Sequence, residues 1–121
     1  MEALFWLGRL LYGGFFILNG LNHFVRLEML SGYAQTKRVP ASRVAVVVTG
    51  LMILLGGLAV LTGLYVQAGL WLLVIFLVFV SFWMHNFWTI EDPMQKMVEQ
   101  VNFLKNMGLL GAAFLLLYLW T

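Results

Sequence analysis

Residues 4–23 read LFWLGRLLYGGFFILNGLNH, a run that is apolar along most of its length but carries Arg9, Asn19, Asn22 and His23. As a helix rising about 1.5 Å per residue it covers roughly 30 Å, the thickness of a bilayer hydrocarbon core, so it predicts a transmembrane span. Wound at about 100° per residue, Arg9, Gly13, Phe16, Gly20 and His23 fall on one stripe, with Tyr12 and Asn19 along its edge. An arginine two turns inside a membrane helix costs about 3 kcal/mol even on lenient insertion scales, and the glycines beside it admit another backbone closely. The stripe is therefore expected to face protein, with the remaining helices arranged around it.

The whole chain fits that start. It has 121 residues, 63% of them hydrophobic and 10% charged, with a mean hydropathy of +0.95, values far from those of soluble domains. A formal charge of +2 is too small to imply nucleic acid, and the basic residues are better explained by membrane orientation. The absence of cysteine removes thiolate catalysis, disulfide exchange, iron–sulfur ligation and thiolate zinc sites. Glu2 stands where a signal peptide needs positive charge, and no small-x-small site follows the apolar run, so the first helix is expected to stay in the mature protein.

After His23 the polar stretch FVRLEMLSGYAQTKRVP places Phe24, Leu27, Leu30 and Tyr33 at helical spacing, which predicts a short interfacial helix broken at Val39-Pro40. A second span follows at about 44–64, with Gly56, Ala59 and Gly63 on one face, and a third at about 68–88. Only a short turn separates these two, so they are expected to be antiparallel neighbours. Asp92 suits an N-cap, Pro93 the first helical position and Gln95 a capping box. Met94, Met97, Val98, Val101 and Leu104 then form a stripe that predicts a second interfacial helix ahead of a fourth span at about 104–120. The expected architecture is all-α: one transmembrane domain over residues 1–121, a four-helix bundle with short interfacial helices in its two connectors.

Four spans put both termini on one side of the membrane. The connector side holds Arg26, Lys37, Arg38, Arg43, Lys96 and Lys105, which by the positive-inside rule makes it cytoplasmic and places the termini outside. Glycine-lined faces in the first, second and fourth spans exceed what one bundle needs, which predicts a homodimer.

The same topology gathers polar residues at the cytoplasmic end. Asn19, Asn22 and His23 close the first span, Ser81, His85 and Asn86 the third, and Asn102, Lys105 and Asn106 open the fourth. Helix capping and interfacial hydrogen bonding account for such residues without any ligand. Two histidines from facing helices also suit a haem or metal, but no HxxxH or ExxH motif accompanies them, so no metal site and no haem is expected. A quinone head group needs less: an imidazole donor at the interface and an apolar slot. On that reading His23 and His85 face one pocket, oriented by Asn19 and Ser81 at i−4, with Asn22 and Asn86 beside them. Arg9 either snorkels to head groups or turns inward, where backbone carbonyls, Tyr12, Tyr65, Gln67 or an anionic ligand are its available partners.

GRLLYGGFFILNGLNHF in the first helix, YAQTKRVP before the second, TGLMILLGGL within it, and MHNFW followed by QVNFLKNMGLLGAA together resemble the DoxX family of small four-span membrane proteins. Two positions depart from the family pattern: Arg38 stands where a glycine is usual, and His23 where many members carry lysine. The resemblance implies a four-helix membrane bundle in a bacterial cytoplasmic (inner) membrane. It further implies association with oxidoreductase systems, because DoxD relatives are similar to a subunit of thiosulfate:quinone oxidoreductase and other members are thought to assemble with sulfur-transfer or oxidative-stress enzymes. Three functions are in competition: a quinone-interacting component of a membrane oxidoreductase, a non-catalytic scaffold recruiting a soluble enzyme at its cytoplasmic face, and a carrier for a small hydrophobic or anionic molecule.

Overall fold

The structure is a computed structural model and describes residues 1–120. Five α-helices and one 3₁₀ turn account for nearly all of them: α1 Glu2–Val25, α2 Leu27–Thr36, α3 Ser42–Thr62, α4 Val66–Trp83, the turn Phe87–Thr89, and α5 Pro93–Leu119. The helices α1, α3 and α5, and α4 extended through Thr89, are long and apolar enough to cross a membrane. Many of their large apolar side chains point outward; Leu11, Leu18, Leu55, Ile75 and Leu115 are all exposed, as lipid-facing residues should be.

The first helix buries Arg9, Gly13, Phe16 and Gly20, the stripe expected from the sequence. Gly13 packs on Gly57 of α3 so closely that a Cβ on Gly57 would lie 2.6 Å from the Gly13 carbonyl oxygen. Neither helix could approach the other with a side chain there. On the other flank of α3, Gly56 and Ala59 meet Gly69 and Leu73 of α4. The small-residue face of the second span is thus taken up within the protomer, whereas Gly108 and Gly111 on α5 have open space before them. Phe16, Ile53, Val60, Leu70, Leu73 and Leu77 fill the centre and are almost fully buried.

The span limits differ from the sequence expectation, each for a local reason. Gly63 does not continue the α3 face; it takes φ 78 and closes the helix, its N–H donating to the Ala59 carbonyl at 2.9 Å. The following span consequently begins at Val66. The third span runs on through Thr89, but its α-helix ends at Trp83, because both Met84 and His85 turn their N–H groups onto the Val80 carbonyl. Phe87 and Trp88 then pack against Phe103, with ring centroids 5.5 and 5.6 Å away. The first connector forms α2. The second connector forms no separate helix: it starts at Asp92, whose carboxylate accepts from the Gln95 N–H at 2.9 Å, and runs unbroken from Pro93 to Leu119. Arg38 adopts φ 61, in the left-handed region that favours glycine.

Around the ring α1, α3, α4, α5, the first three neighbouring pairs pack backbone to backbone. The fourth pair does not: no Cα of α5 lies within 8 Å of one in α1. Side chains bridge this seam towards the terminal end, where the Tyr12 hydroxyl donates to the Leu109 carbonyl at 2.7 Å and Phe5 meets Trp120 with centroids 5.4 Å apart.

Candidate functional site

At the connector end the bundle encloses a cavity of about 200 Å³. Its walls are mostly apolar, from Phe15 and Phe16 on α1, Phe76, Phe79 and Val80 on α4, and Met84 beyond it. His23, His85 and Asn19 line it together, as do Thr49, Tyr33, Lys105 and Asn106. An engineered cavity of about 150 Å³ holds benzene, so this space is large enough for one six-membered ring.

His23 stands on the last turn of α1, where α3 makes room for it: a Cβ on Gly50 would lie 2.8 Å from the His23 Cβ. Its Nδ1 is 3.0 Å from the Val46 carbonyl oxygen and 3.3 Å from the Thr49 hydroxyl. The hydroxyl donates to the Ala45 carbonyl at 2.7 Å, and a carbonyl only accepts, so the bond to Val46 places a hydrogen on Nδ1. The Phe76 ring meets the imidazole edge-on, 6.0 Å between centroids.

His85 is positioned by the chain leaving α4 early, which swings its ring beneath α5. There it meets a residue that sequence reading did not single out. Glu99 is 5% exposed and its carboxylate gathers donors from three segments. The Tyr33 hydroxyl of α2 donates to Oε2 at 2.5 Å, the Asn102 amide to Oε1 at 3.2 Å, and His85 Nδ1 lies 3.4 Å from both oxygens. The Lys37 ammonium stands 3.8 Å from Oε2 and donates to the Asn86 Oδ1 at 2.9 Å. So many donors on one buried carboxyl are satisfied only by its ionised, acceptor-only form. Burial, with the Glu99 hydrogen bond and charge added, pushes the Tyr33 phenol above its ordinary range.

The residues expected at the site divide into two groups. His23, His85 and Asn19 come together. Asn22 and Asn86 do not line the cavity, and the Asn86 Oδ1 accepts from Lys37. The orienting neighbours also differ, since the Asn19 amide donates to the Phe15 carbonyl of its own helix at 2.7 Å and the Ser81 hydroxyl is buried without a hydrogen-bond partner. Val46 and Glu99 hold the imidazoles instead.

Arg9 belongs to the other end of the bundle, 14 residues and so about 21 Å along α1 from His23. Its Nε donates to the Val60 carbonyl at 2.9 Å and its Nη2 to that of Leu61 at 3.0 Å, carbonyls left without helical partners where α3 stops. The guanidinium lies 4.0 Å over the Trp6 ring. It caps the C-terminal end of α3 and complements the negative end of that helix's dipole.

On the connector side of the Tyr12 bridge, Asn19 and Lys105 are exposed on the two flanks of the α1/α5 seam, and both line the cavity. The cavity therefore meets the lipid-facing surface along this seam. No curated protein and no solved structure matches the chain. The sequence model of the DoxX family matches residues 4–86, a stretch that includes His23 and His85 and stops before Glu99. With more than half of its 121 residues inside that match, this multi-pass membrane protein belongs to the DoxX family.

Proposed function

We propose that the protein binds the ring head group of a lipid-soluble quinone, in either redox form, and serves as a membrane component of an oxidoreductase system in a bacterial inner membrane. One observation carries this reading: two imidazoles from distant parts of the chain line a single ring-sized, largely apolar cavity that reaches lipid through the α1/α5 seam. An isoprenoid or alkyl tail would lie in the seam while the ring sits inward. The room available favours a quinone ring over a porphyrin. The imidazoles and the aromatic walls supply what such a ring needs, namely polar contacts at its oxygens and apolar faces above and below. With the basic connectors cytoplasmic, the cavity would open at the inner leaflet, where a soluble enzyme could exchange electrons with the ligand. That partner would be the source or sink of electrons.

The test is lipid extraction from purified wild type, His23→Ala and His85→Ala, followed by mass spectrometry at matched folded fraction. Wild type should retain a quinone-type lipid that both variants lose. Equal retention in all three, or none in wild type, would remove the site and leave a scaffold that recruits a soluble enzyme.

A further inference from the structure

A quinone ring offers two carbonyl acceptors, and the same ring reduced offers two hydroxyls that both donate and accept. Which form suits the cavity depends on the hydrogens that its polar atoms have left to give. His23 has its Nδ1 hydrogen engaged by the Val46 carbonyl at 3.0 Å. Its Nε2, on the opposite side of the ring, points away from α3 and is an acceptor in the neutral imidazole. His85 repeats the arrangement. Its Nδ1 faces the Glu99 carboxylate at 3.4 Å, so that nitrogen carries the hydrogen and Nε2 turns away from Glu99 as an acceptor. The Glu99 charge already has Lys37 beside it at 3.8 Å, so a second proton on His85 is not needed to balance it. Asn19 gives one of its two amide hydrogens to the Phe15 carbonyl at 2.7 Å, which leaves one N–H to donate and its Oδ1 to accept, so it serves either form of the ring.

We infer that the cavity selects the hydroxylated, reduced ring over the carbonyl form, because His23 and His85 each give their one ring hydrogen to the protein and turn an acceptor to the ligand. The inference rests on the proposal that a quinone-type ring occupies the cavity. The donors available are the second Asn19 N–H and, from α5, the Asn106 amide and the Lys105 ammonium, which sits at the mouth 5.7 Å over the Phe15 ring. A hydroxyl uses both kinds of group, donating to an imidazole while accepting from Lys105. A carbonyl can use only the second.

Three ligands of one shape separate the possibilities: a decyl-substituted benzoquinone, its hydroquinone, and the dimethyl ether of that hydroquinone, titrated anaerobically into wild type in nanodiscs. Two additional net hydrogen bonds predict a hydroquinone affinity ten- to thirtyfold above that of the quinone, roughly the effect of two ordinary bonds. The dimethyl ether, which keeps the reduced ring but lacks donors, should bind no better than the quinone. In His23→Ala and His85→Ala the gap between hydroquinone and quinone should narrow. Quinone binding equal to or tighter than hydroquinone overturns the selectivity while leaving the ring site standing. Failure of all three ligands to bind overturns the ring site itself.

Discussion

The Tyr33–Glu99 pair gives the most exacting test of how the connector end is held. Glu99→Gln keeps the shape but turns one acceptor oxygen into a donor, which then meets Tyr33, Asn102 or His85, all of them donors. Hydrogen bonds to a charged group are worth about 1.5–3 kcal/mol each, and at least one is lost outright. Part is recovered, since the Tyr33 hydroxyl has the Met84 carbonyl 3.3 Å away, Lys37 keeps Asn86, and a buried charge no longer has to be desolvated. The expected cost is about 2 kcal/mol for Glu99→Gln and a similar amount for Tyr33→Phe. The double variant should be less destabilised than the sum by about 1 kcal/mol or more, the coupling of two residues in direct contact. Reversible unfolding in mixed micelles, followed by tryptophan fluorescence, measures all four proteins. Strict additivity, within about 0.3 kcal/mol, would show that the pair does not interact and that α2 is not fastened to α5 through it. Titration provides a second readout. The folded-state value of the Tyr33 phenol is raised, so its contribution to stability is intact below the ordinary value of 10.0 and is lost as pH climbs from there through the folded-state value. Phenolate absorbance assigned to Tyr33 by difference against Tyr33→Phe should appear at lower pH in Glu99→Gln than in wild type.

Arg9→Leu should destabilise by about 2–4 kcal/mol, since it uncaps one buried and one partly buried carbonyl and removes the stack on Trp6, while leaving ligand retention at matched folded fraction unchanged; mixed-micelle unfolding and lipid extraction measure the two effects separately. Gly57→Ala places a methyl 2.6 Å from a backbone oxygen and should lower stability by about 1–3 kcal/mol or abolish folding, whereas Gly111→Ala meets open space and should be close to neutral for the protomer. A loss of any dimer in native mass spectrometry on bulky substitution at Gly108 and Gly111 would assign that open face to self-association. A periplasm-specific reporter fused after Trp120 should be active, and one inserted at Ile90 inactive; the reverse pattern would invert the orientation without altering the helix arrangement.

The bundle was legible because lipid imposes two strong rules, length and internal polarity. The stripe of Arg9, Gly13, Phe16 and Gly20 could be read from periodicity alone, as could the parallel course of the first and third spans that brings His23 and His85 to one cavity. Arg38 was legible in a different way, since the departure from a usual glycine falls on a backbone with φ 61. Glu99 was missed because residues 93–104 were read as a surface helix, whose polar face belongs to water. Within lipid the assignment reverses: Met94, Met97, Val98, Val101 and Leu104 are exposed, and the opposite face, Glu99, Asn102 and Asn106, turns inward. That polar stripe at i, i+3 and i+7 was the available signal. The early exit from α4 was not available, because the aromatic cluster of Phe82, Phe87, Trp88 and Phe103 that accompanies it joins residues distant in sequence.

Taken together, the two ends of the bundle manage buried charge by opposite means. Arg9 finds neutral carbonyls and aromatic faces within two neighbouring helices and the chain ends. Glu99 is surrounded by groups that belong to other elements and have second partners: Tyr33 also reaches Met84, Lys37 holds Asn86, and His85 borders the cavity. A change in hydrogen bonding at the ligand therefore has a route to the connectors, from the His85 ring through Glu99 to Tyr33 and Lys37 on either side of the α2 C-terminus. The Lys37 carbonyl is in turn held by the Trp83 indole at 2.8 Å. If ligand binding alters the surface that the connectors present, this chain of contacts is where it would begin. Hydrogen exchange of the amides in α2, compared with and without bound hydroquinone, should register it in wild type and lose it in Glu99→Gln.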